Sequence, residues 1–323
     1  GAGESPRGGL ALDRADRVWI VGSTSSADFP TTAGAYQRQA KGTQDAVVFA
    51  LEADGSALVA STRLGGSDTD GTMGVILDPA GNVHIAGHTQ SADFPVTAGA
   101  AQAVHGGLSD NYAAAFTPDL GTLLYATYIG GSANEYAEHR LTWLGDDTVL
   151  IPGVTLSPDY PTTADALQRA LAGQNDGILS RVSTLDGSLV YSTLLGGSGT
   201  EFYLWPTPDQ DGNVWLVGTT SSPDFPVTAD ALQPRYAGGP SGDGTGDGVI
   251  VQLDPTLRRV LYASYLGGDG YDLIRSVAIA PNGDLTPCPY LPVVVGSLLA
   301  EPLAALWASG RAGQLCLDGV RVS

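Results

Sequence analysis

One spacing, 65 residues, constrains this chain more than any other feature. The triplet Asp-Phe-Pro begins at Asp28, Asp93 and Asp224, and Asp159-Tyr160-Pro161 stands as its fourth copy, at intervals of 65, 66 and 65. Leu/Ile-Gly-Gly ends at Gly66, Gly131, Gly197 and Gly268, at intervals of 65, 66 and 71. Aspartate lies 21 residues before each second glycine, at Asp45, Asp110, Asp176 and Asp247. Glycine lies six residues before each Asp-Phe-Pro, at Gly22, Gly87, Gly153 and Gly218. Four columns in one register define an internal repeat, and a repeat of this length is one supersecondary unit.

The repeats run about 8–66, 67–131, 132–197 and 198–268, with a fifth opened by 269–285. Each contains four short extended runs. In the second repeat they are Met73–Leu77, Val83–Gly87, Asn111–Phe116 and Leu123–Ile129, rich in residues that favour strands. Turn residues separate them: Asp78-Pro79-Ala80-Gly81-Asn82 here, Asp54-Gly55 and Asp186-Gly187 elsewhere. Thr-Ala-Asp-Ala-Leu-Gln at 163–168 and 228–233 has a capping threonine before apolar residues and predicts one helical turn. A single four-stranded sheet cannot bury both faces, whereas radial stacking of copies can. The fold class is therefore all-β, a β-propeller of four-stranded antiparallel blades, four clear and a fifth partial or divergent. The glycine pairs are expected where chains approach closely between blades, and the Asp-Phe-Pro phenylalanine is expected to pack there.

The string Leu-Gly-Gly-Ser … Asp-Gly-Asn-Val-Trp-Leu-Val-Gly-Thr-Thr-Ser-Ser-Pro-Asp-Phe-Pro-Val-Thr, 195–228, resembles the SBBP repeat, the bacterial seven-bladed β-propeller repeat. The resemblance extends from Gly8 to about Leu285. It implies a propeller of large bacterial proteins that are exported or sit at the cell surface, and it carries no catalytic residue set. The segment 286–323 departs from the pattern. Three readings stand for it: strands completing a fifth blade, a separate packing segment, or an out-of-frame tail. Its Cys288 and Cys316 are the only cysteines, and an oxidising compartment would allow a disulfide between them.

Charge excludes some functions. Thirty-four acidic against fifteen basic residues give a net charge of −19, and Lys41 is the sole lysine, so a phosphate backbone would be repelled. Two cysteines cannot build a zinc or iron–sulfur cluster. The longest apolar stretch, 290–308, is interrupted by Pro292, Glu301 and Pro302, which argues against a membrane span.

Candidate chemistry rests on acids. Asp70, Glu135, Glu201 and Asp272 each follow a Gly-Gly by four residues, at the start of the innermost strand. As a ring around a channel mouth they could bind Ca²⁺, an oxygen-seeking ion, or attract a cationic ligand. The competing reading has each one capping local backbone N–H groups. The same structural reading applies to the markers Asp28, Asp93, Asp159 and Asp224, and to Asp45, Asp110, Asp176 and Asp247. His84 and His88 would lie about 13 Å apart along a strand, too far to share a metal, and His84 aligns with Trp19, Leu150 and Trp215 as a packing position. Trp19, Trp143, Trp205 and Trp215 suit either a carbohydrate platform or a core.

No catalytic set stands out. The expected function is a non-enzymatic extracellular or cell-surface scaffold binding a protein or carbohydrate, needing no cofactor. It would act as a monomer or as part of a larger multidomain chain. The alternative is a channel-centred polysaccharide hydrolase or lyase using Glu135 or Glu201, or the non-repetitive cluster Glu138, His139 and Arg140. A third reading is a structural array of blades with little function of its own.

Overall fold

A computed structural model describes residues 4–5, 9–138, 140–238, 246–270, 272, 274, 278–279, 284–286 and 296–297. The described chain is all-β, and among the described residues there is no helix. It divides into two compact units, 1–195 and 196–323.

The first unit holds three antiparallel sheets. The first sheet comprises β1 (Glu4–Ser5), β2 (Leu10–Leu12), β3 (Val18–Thr24), β4 (Asp45–Leu51) and β5 (Leu58–Leu64). The second runs β6 (Asp70–Leu77), β7 (Val83–Thr89), β8 (Asp110–Phe116) and β9 (Leu123–Ile129) in that order. The third contains β10 (Glu135–Ala137), β11 (Thr142–Trp143), β12 (Thr148–Thr155), β13 (Asp176–Ser183) and β14 (Leu189–Leu195). Both five-stranded sheets are four-stranded sheets with a divided first strand, since β1 and β2 both pair with β3, and β10 and β11 both pair with β12. The second unit holds β15 (Glu201–Pro208), β16 (Val214–Thr220), β17 (Asp247–Leu253) and β18 (Val260–Leu266) in one sheet. A small sheet of β19 (Ala278–Ile279), β20 (Asp284–Thr286) and β21 (Gly296–Ser297) follows.

Strand β8 shows why the second sheet is buried on both faces. Side chains alternate across a strand, so Tyr112, Ala114 and Phe116 enter a core with Trp19, Val21, Val48 and Leu64 of the first sheet. Ala113 and Ala115 instead enter a core with Val149, Ile151 and Ile178 of the third. Every residue of β8 is buried. Phe94 belongs to the first of these cores and Tyr160 to the second, so the Asp-Phe-Pro aromatic does pack between sheets.

The last strand of each of the four large sheets pairs with a register shift at one repeat-equivalent place: Ala50/Leu51, Ala115/Phe116, Arg181/Val182 and Gln252/Leu253. A bulge there adds twist.

The expected helical turn after Asp-Phe-Pro does not form. Ala166 N–H donates to Thr163 O at 3.2 Å and Ala231 N–H to Thr228 O at 3.0 Å, closing single β-turns. The threonine hydroxyl is occupied elsewhere: Thr163 Oγ1 donates to Ser192 O and accepts from Ser192 N–H, tying the loop to β14. Thr32, Thr97 and Thr228 do the same in their own sheets. That bond competes with a helix cap and wins because it extends an existing ladder.

Candidate functional site

The repeated polar residues converge on each Gly-Gly. At Gly130-Gly131, the second glycine's N–H donates to Glu135 Oε2 at 2.9 Å. Glu135 Oε1 accepts from the hydroxyls of Thr155 (2.7 Å) and Ser157. The first glycine's N–H donates to Gln102 Oε1 at 3.0 Å, while Gln102 Nε2 donates to Asp110 Oδ2 at 3.1 Å. Asp159 Oδ1 accepts both the N–H and the hydroxyl of Ser132 at 2.8 Å. Each of these bonds closes a loop 4 to 28 residues long, so one polar hub ties together the end of one sheet and the start of the next.

The hub recurs. Asp70 accepts from Gly66 N–H (2.8 Å), Ser91 Oγ (2.9 Å) and Thr89 Oγ1. Glu201 accepts from Gly197 N–H (3.2 Å), Thr220 and Ser222, and Asp272 from Gly268 N–H at 2.7 Å. Asp93 and Asp224 hold Ser67 and Ser198 as Asp159 holds Ser132. Asp176 accepts from Ala172 N–H and Gln168, and Asp247 from Ala237 N–H and Gln233. In the first repeat Arg63 replaces the glutamine as the partner of Asp45, in an ion pair at 3.2 Å with both side chains fully buried. Asp28 is exposed.

The geometry explains the glycines. A Cβ on Gly130 would lie 2.5 Å from Asp110 Oδ1 and 2.6 Å from Glu135 Oε2, and one on Gly131 would lie 2.6 Å from Ser157 Cβ and from Asp159 Oδ1. The close approach is thus of carboxylates to the glycines, more than of one backbone to another.

Burial without full compensation shifts the acids. Asp70, Glu135 and Glu201 are fully buried. Burial pushes Asp70 up to about 6 against the pull of its hydrogen bonds, and it raises Glu135, Asp110 and Asp247 as well. The neighbouring carboxylate adds to the rise at Asp70, Glu135 and Asp247. The exposed Asp93, Asp159 and Asp224 are held below the usual range by the serine N–H and hydroxyl donors.

The structure places Asp70, Glu135, Glu201 and Asp272 one to a hub, each with at least one oxygen accepting a protein N–H. Among the described residues, no three of His, Cys, Asp and Glu gather in an arrangement able to hold a metal. Cys288, Cys316 and His139 lie outside the described residues, as do residues 239–245. Glu138 is largely buried, and its N–H donates to Pro152 O.

Sequence reasoning missed three contributors. The column Gln37, Gln102, Gln168 and Gln233 carries the same spacing as Asp-Phe-Pro but consists of a common polar residue. The Thr-x-Ser pair before each Asp-Phe-Pro, such as Thr155 and Ser157, passes for ordinary loop composition. Glu4 pairs with Thr24 in the register that joins Asp70 to Thr89, Glu135 to Thr155 and Glu201 to Thr220. It extends the acidic column by one repeat, but no Gly-Gly precedes it in this sequence.

At the far end of the sheets' first strands, turn aspartates meet rings. Asp13 Oδ2 accepts from Trp19 Nε1 and Asp209 Oδ2 from Trp215 Nε1, both at 3.1 Å, and Asp78 Oδ2 lies 3.4 Å from His84 Nε2. His84 is buried, with Nδ1 3.1 Å from the Tyr125 hydroxyl, and burial lowers its pKa. In the third repeat the aspartate and the ring disappear together, as Leu144 and Leu150. His84 therefore does a tryptophan's work. In the first unit this end carries a groove of about 500 Å³ that includes Asp13, Arg14, Trp19, Leu77, Asp78 and Trp143 in its lining.

No family model matches the chain, and no curated protein does. Among solved structures, the chain is similar to a polysaccharide lyase of family PL25, an ulvan lyase bound to -[GlcA(1-4)Rha3S]-. The identity is 10% and the TM-score 0.42, over 85% of this chain and 61% of the lyase. It is also similar to the computationally designed Ika8 protein, with 10% identity and a TM-score of 0.34 over 86% and 66% of the two chains. Hydrazine synthase of Kuenenia stuttgartiensis has 9% identity and a TM-score of 0.34, over 75% and 69%. The chain spans about three fifths of the ulvan lyase's length.

Proposed function

We propose that this chain is a non-enzymatic binding scaffold of the propeller type, acting outside the cell, whose repeats supply a constant frame and whose turns supply the contact surface. The observation that carries this reading is the occupation of the repeated acids. Glu135 and Glu201, the carboxylates best suited by position to acid or base chemistry, are fully buried and bonded to a glycine N–H and two hydroxyls each. A general acid or base has to reach the proton it moves, and these side chains face the frame.

The variable positions support the same division. The turn that reads Asp13-Arg14-Ala15-Asp16 in the first repeat reads Asp78-Pro79-Ala80-Gly81 in the second and Leu144-Gly145-Asp146-Asp147 in the third. Varied loops on a fixed scaffold make binding faces. Sheets that repeat in one strand order, with the second burying both faces against the first and third, support closure as a β-propeller. The resemblance of the repeat supports the extracellular setting.

The test is incubation of the chain with a panel of soluble polysaccharides, reading both retention and cleavage. Saturable retention with no new reducing or unsaturated ends is expected. Catalytic release of such ends, lost when the chain is heat-denatured, would overturn the non-enzymatic reading in favour of the polysaccharide-cleaving alternative.

A further inference from the structure

The groove at the turn end of the first unit is the feature that the frame does not consume. Two of its lining carboxylates are already committed. Asp13 Oδ1 accepts from the N–H groups of Ala15 and Arg17 at 2.8 and 3.0 Å, and its Oδ2 accepts from Arg17 Nε and Trp19 Nε1. Asp78 accepts from Asn82 N–H at 2.8 Å and Asn82 Nδ2 at 2.7 Å, and lies against His84. Arg17 is paired with Asp13. Arg14 is different: it lines the groove, it is exposed, and among the described residues it has no ion-pair or hydrogen-bond partner. Of the two arginines in the lining, Arg17 is taken by Asp13 and Arg14 alone is left to meet a ligand's carboxylate.

The rest of the lining is ring and hydrocarbon. Trp143 is half-buried on β11, its neighbour His84 6.2 Å away ring to ring, and Trp19 forms a buried wall. Leu12, 60% exposed, and Pro79 and Pro118 complete an apolar surface open to solvent. A volume of about 500 Å³ lies within the roughly 300–1,000 Å³ of small-ligand sites. Flat apolar faces beside a guanidinium suit a ring with a C–H face and an anionic substituent. The open rim suits a ligand that continues beyond the groove.

We propose that this groove binds an acidic oligosaccharide, with a sugar ring against Trp143 and its carboxylate on Arg14. The assignment rests on the scaffold reading above and adds a site and a ligand class to it. Guanidinium–carboxylate pairing is geometrically specific and charge-assisted, and the sugar's C–H face gains from an aromatic platform. Because Asp13 and Asp78 already accept from protein donors, they hold the turns in place and leave recognition to Arg14 and the rings.

The probe is a galacturonate oligomer, titrated against the full chain with intrinsic tryptophan fluorescence and calorimetry, beside the neutral galactose oligomer of equal length. The wild type should bind the acidic oligomer at least tenfold more tightly, and binding should weaken as NaCl screens the pair. Arg14→Gln, in an exposed turn, should lose at least tenfold for the acidic oligomer and leave the neutral one unchanged. Trp143→Ala should weaken both and remove the fluorescence change, with circular dichroism verifying the fold. An Arg14→Gln chain that binds the galacturonate oligomer as the wild type does would overturn the proposal, and so would a wild type that binds neither oligomer. Binding of both oligomers with equal strength would overturn the Arg14 assignment while leaving a saccharide scaffold standing. Cleavage of the oligomer would count against the scaffold reading itself.

Discussion

Lowering the pH from 7 to 5 should strengthen the hub at Asp70, the reverse of ordinary acid destabilisation. Burial raises the Asp70 pKa from 3.8 to about 6. A carboxyl with a folded pKa above its unfolded value binds more protons when folded. Its stabilising contribution is complete below the unfolded value and is lost as pH rises through the folded one. A shift of about two units corresponds to about 3 kcal/mol in all. About 1.3 kcal/mol of it is regained between pH 7 and 5, and the rest on going down towards pH 3. Other groups titrate in the same range. Asp110, Glu135 and Asp247 act in the same direction. His84, whose folded pKa is lowered, loses stability as pH falls through its unfolded value. The informative quantity is therefore the difference between wild type and Asp70→Asn, which cannot take up the proton. Urea denaturation at pH 7 and 5 should show the wild type gaining about 1 kcal/mol on Asp70→Asn at the lower pH, with equal m-values. A difference that stays constant across the two pH values, or that changes sign, would refute the reasoning.

Further outcomes follow from the same hubs. Gly131→Ala forces a Cβ to 2.6 Å from Ser157 Cβ and Asp159 Oδ1, so thermal unfolding should register a loss of about 1–3 kcal/mol. Gln102→Leu strands the Gly130 N–H and removes a donor from Asp110, and denaturant unfolding should show about 1–3 kcal/mol lost. Asp209→Leu alone leaves the buried Trp215 N–H without its acceptor, whereas Asp209→Leu with Trp215→Leu reproduces the pair found in the third repeat. A double-mutant cycle should therefore give a double variant less destabilised than the sum of its singles.

What the sequence made legible is what repeats at a fixed spacing with unusual residues. Asp-Phe-Pro and Gly-Gly place the hubs, and the runs of strand-favouring residues Val83–Gly87 and Leu123–Ile129 place strands that begin or end within two residues of β7 and β9. The glutamine column and the Thr-x-Ser pairs were equally regular. Gln, Thr and Ser carry no signal by themselves, and their role appears only once segments 20 to 28 residues apart lie side by side. Thr163 misled for a related reason: a threonine before apolar residues looks like a helix cap until β14 offers its hydroxyl a better partner. The groove was the least legible feature. Its walls come from turns 65 residues apart and from Trp143, a tryptophan without counterparts in the other repeats, so only long-range packing brings them together.

The central claim is that the repeated carboxylates tie the frame. The most direct test is thermal unfolding of the whole chain in EDTA and in millimolar Ca²⁺. A ligand that binds only the folded state must raise apparent stability, by about 2.7 kcal/mol at a hundred times its dissociation constant. Carboxylates already bonded to glycine N–H and hydroxyl donors predict one cooperative transition at the same temperature in both solutions. A rise with Ca²⁺ that disappears when Asp70, Glu135, Glu201 and Asp272 are replaced by alanine would contradict the account and make those four residues an ion site.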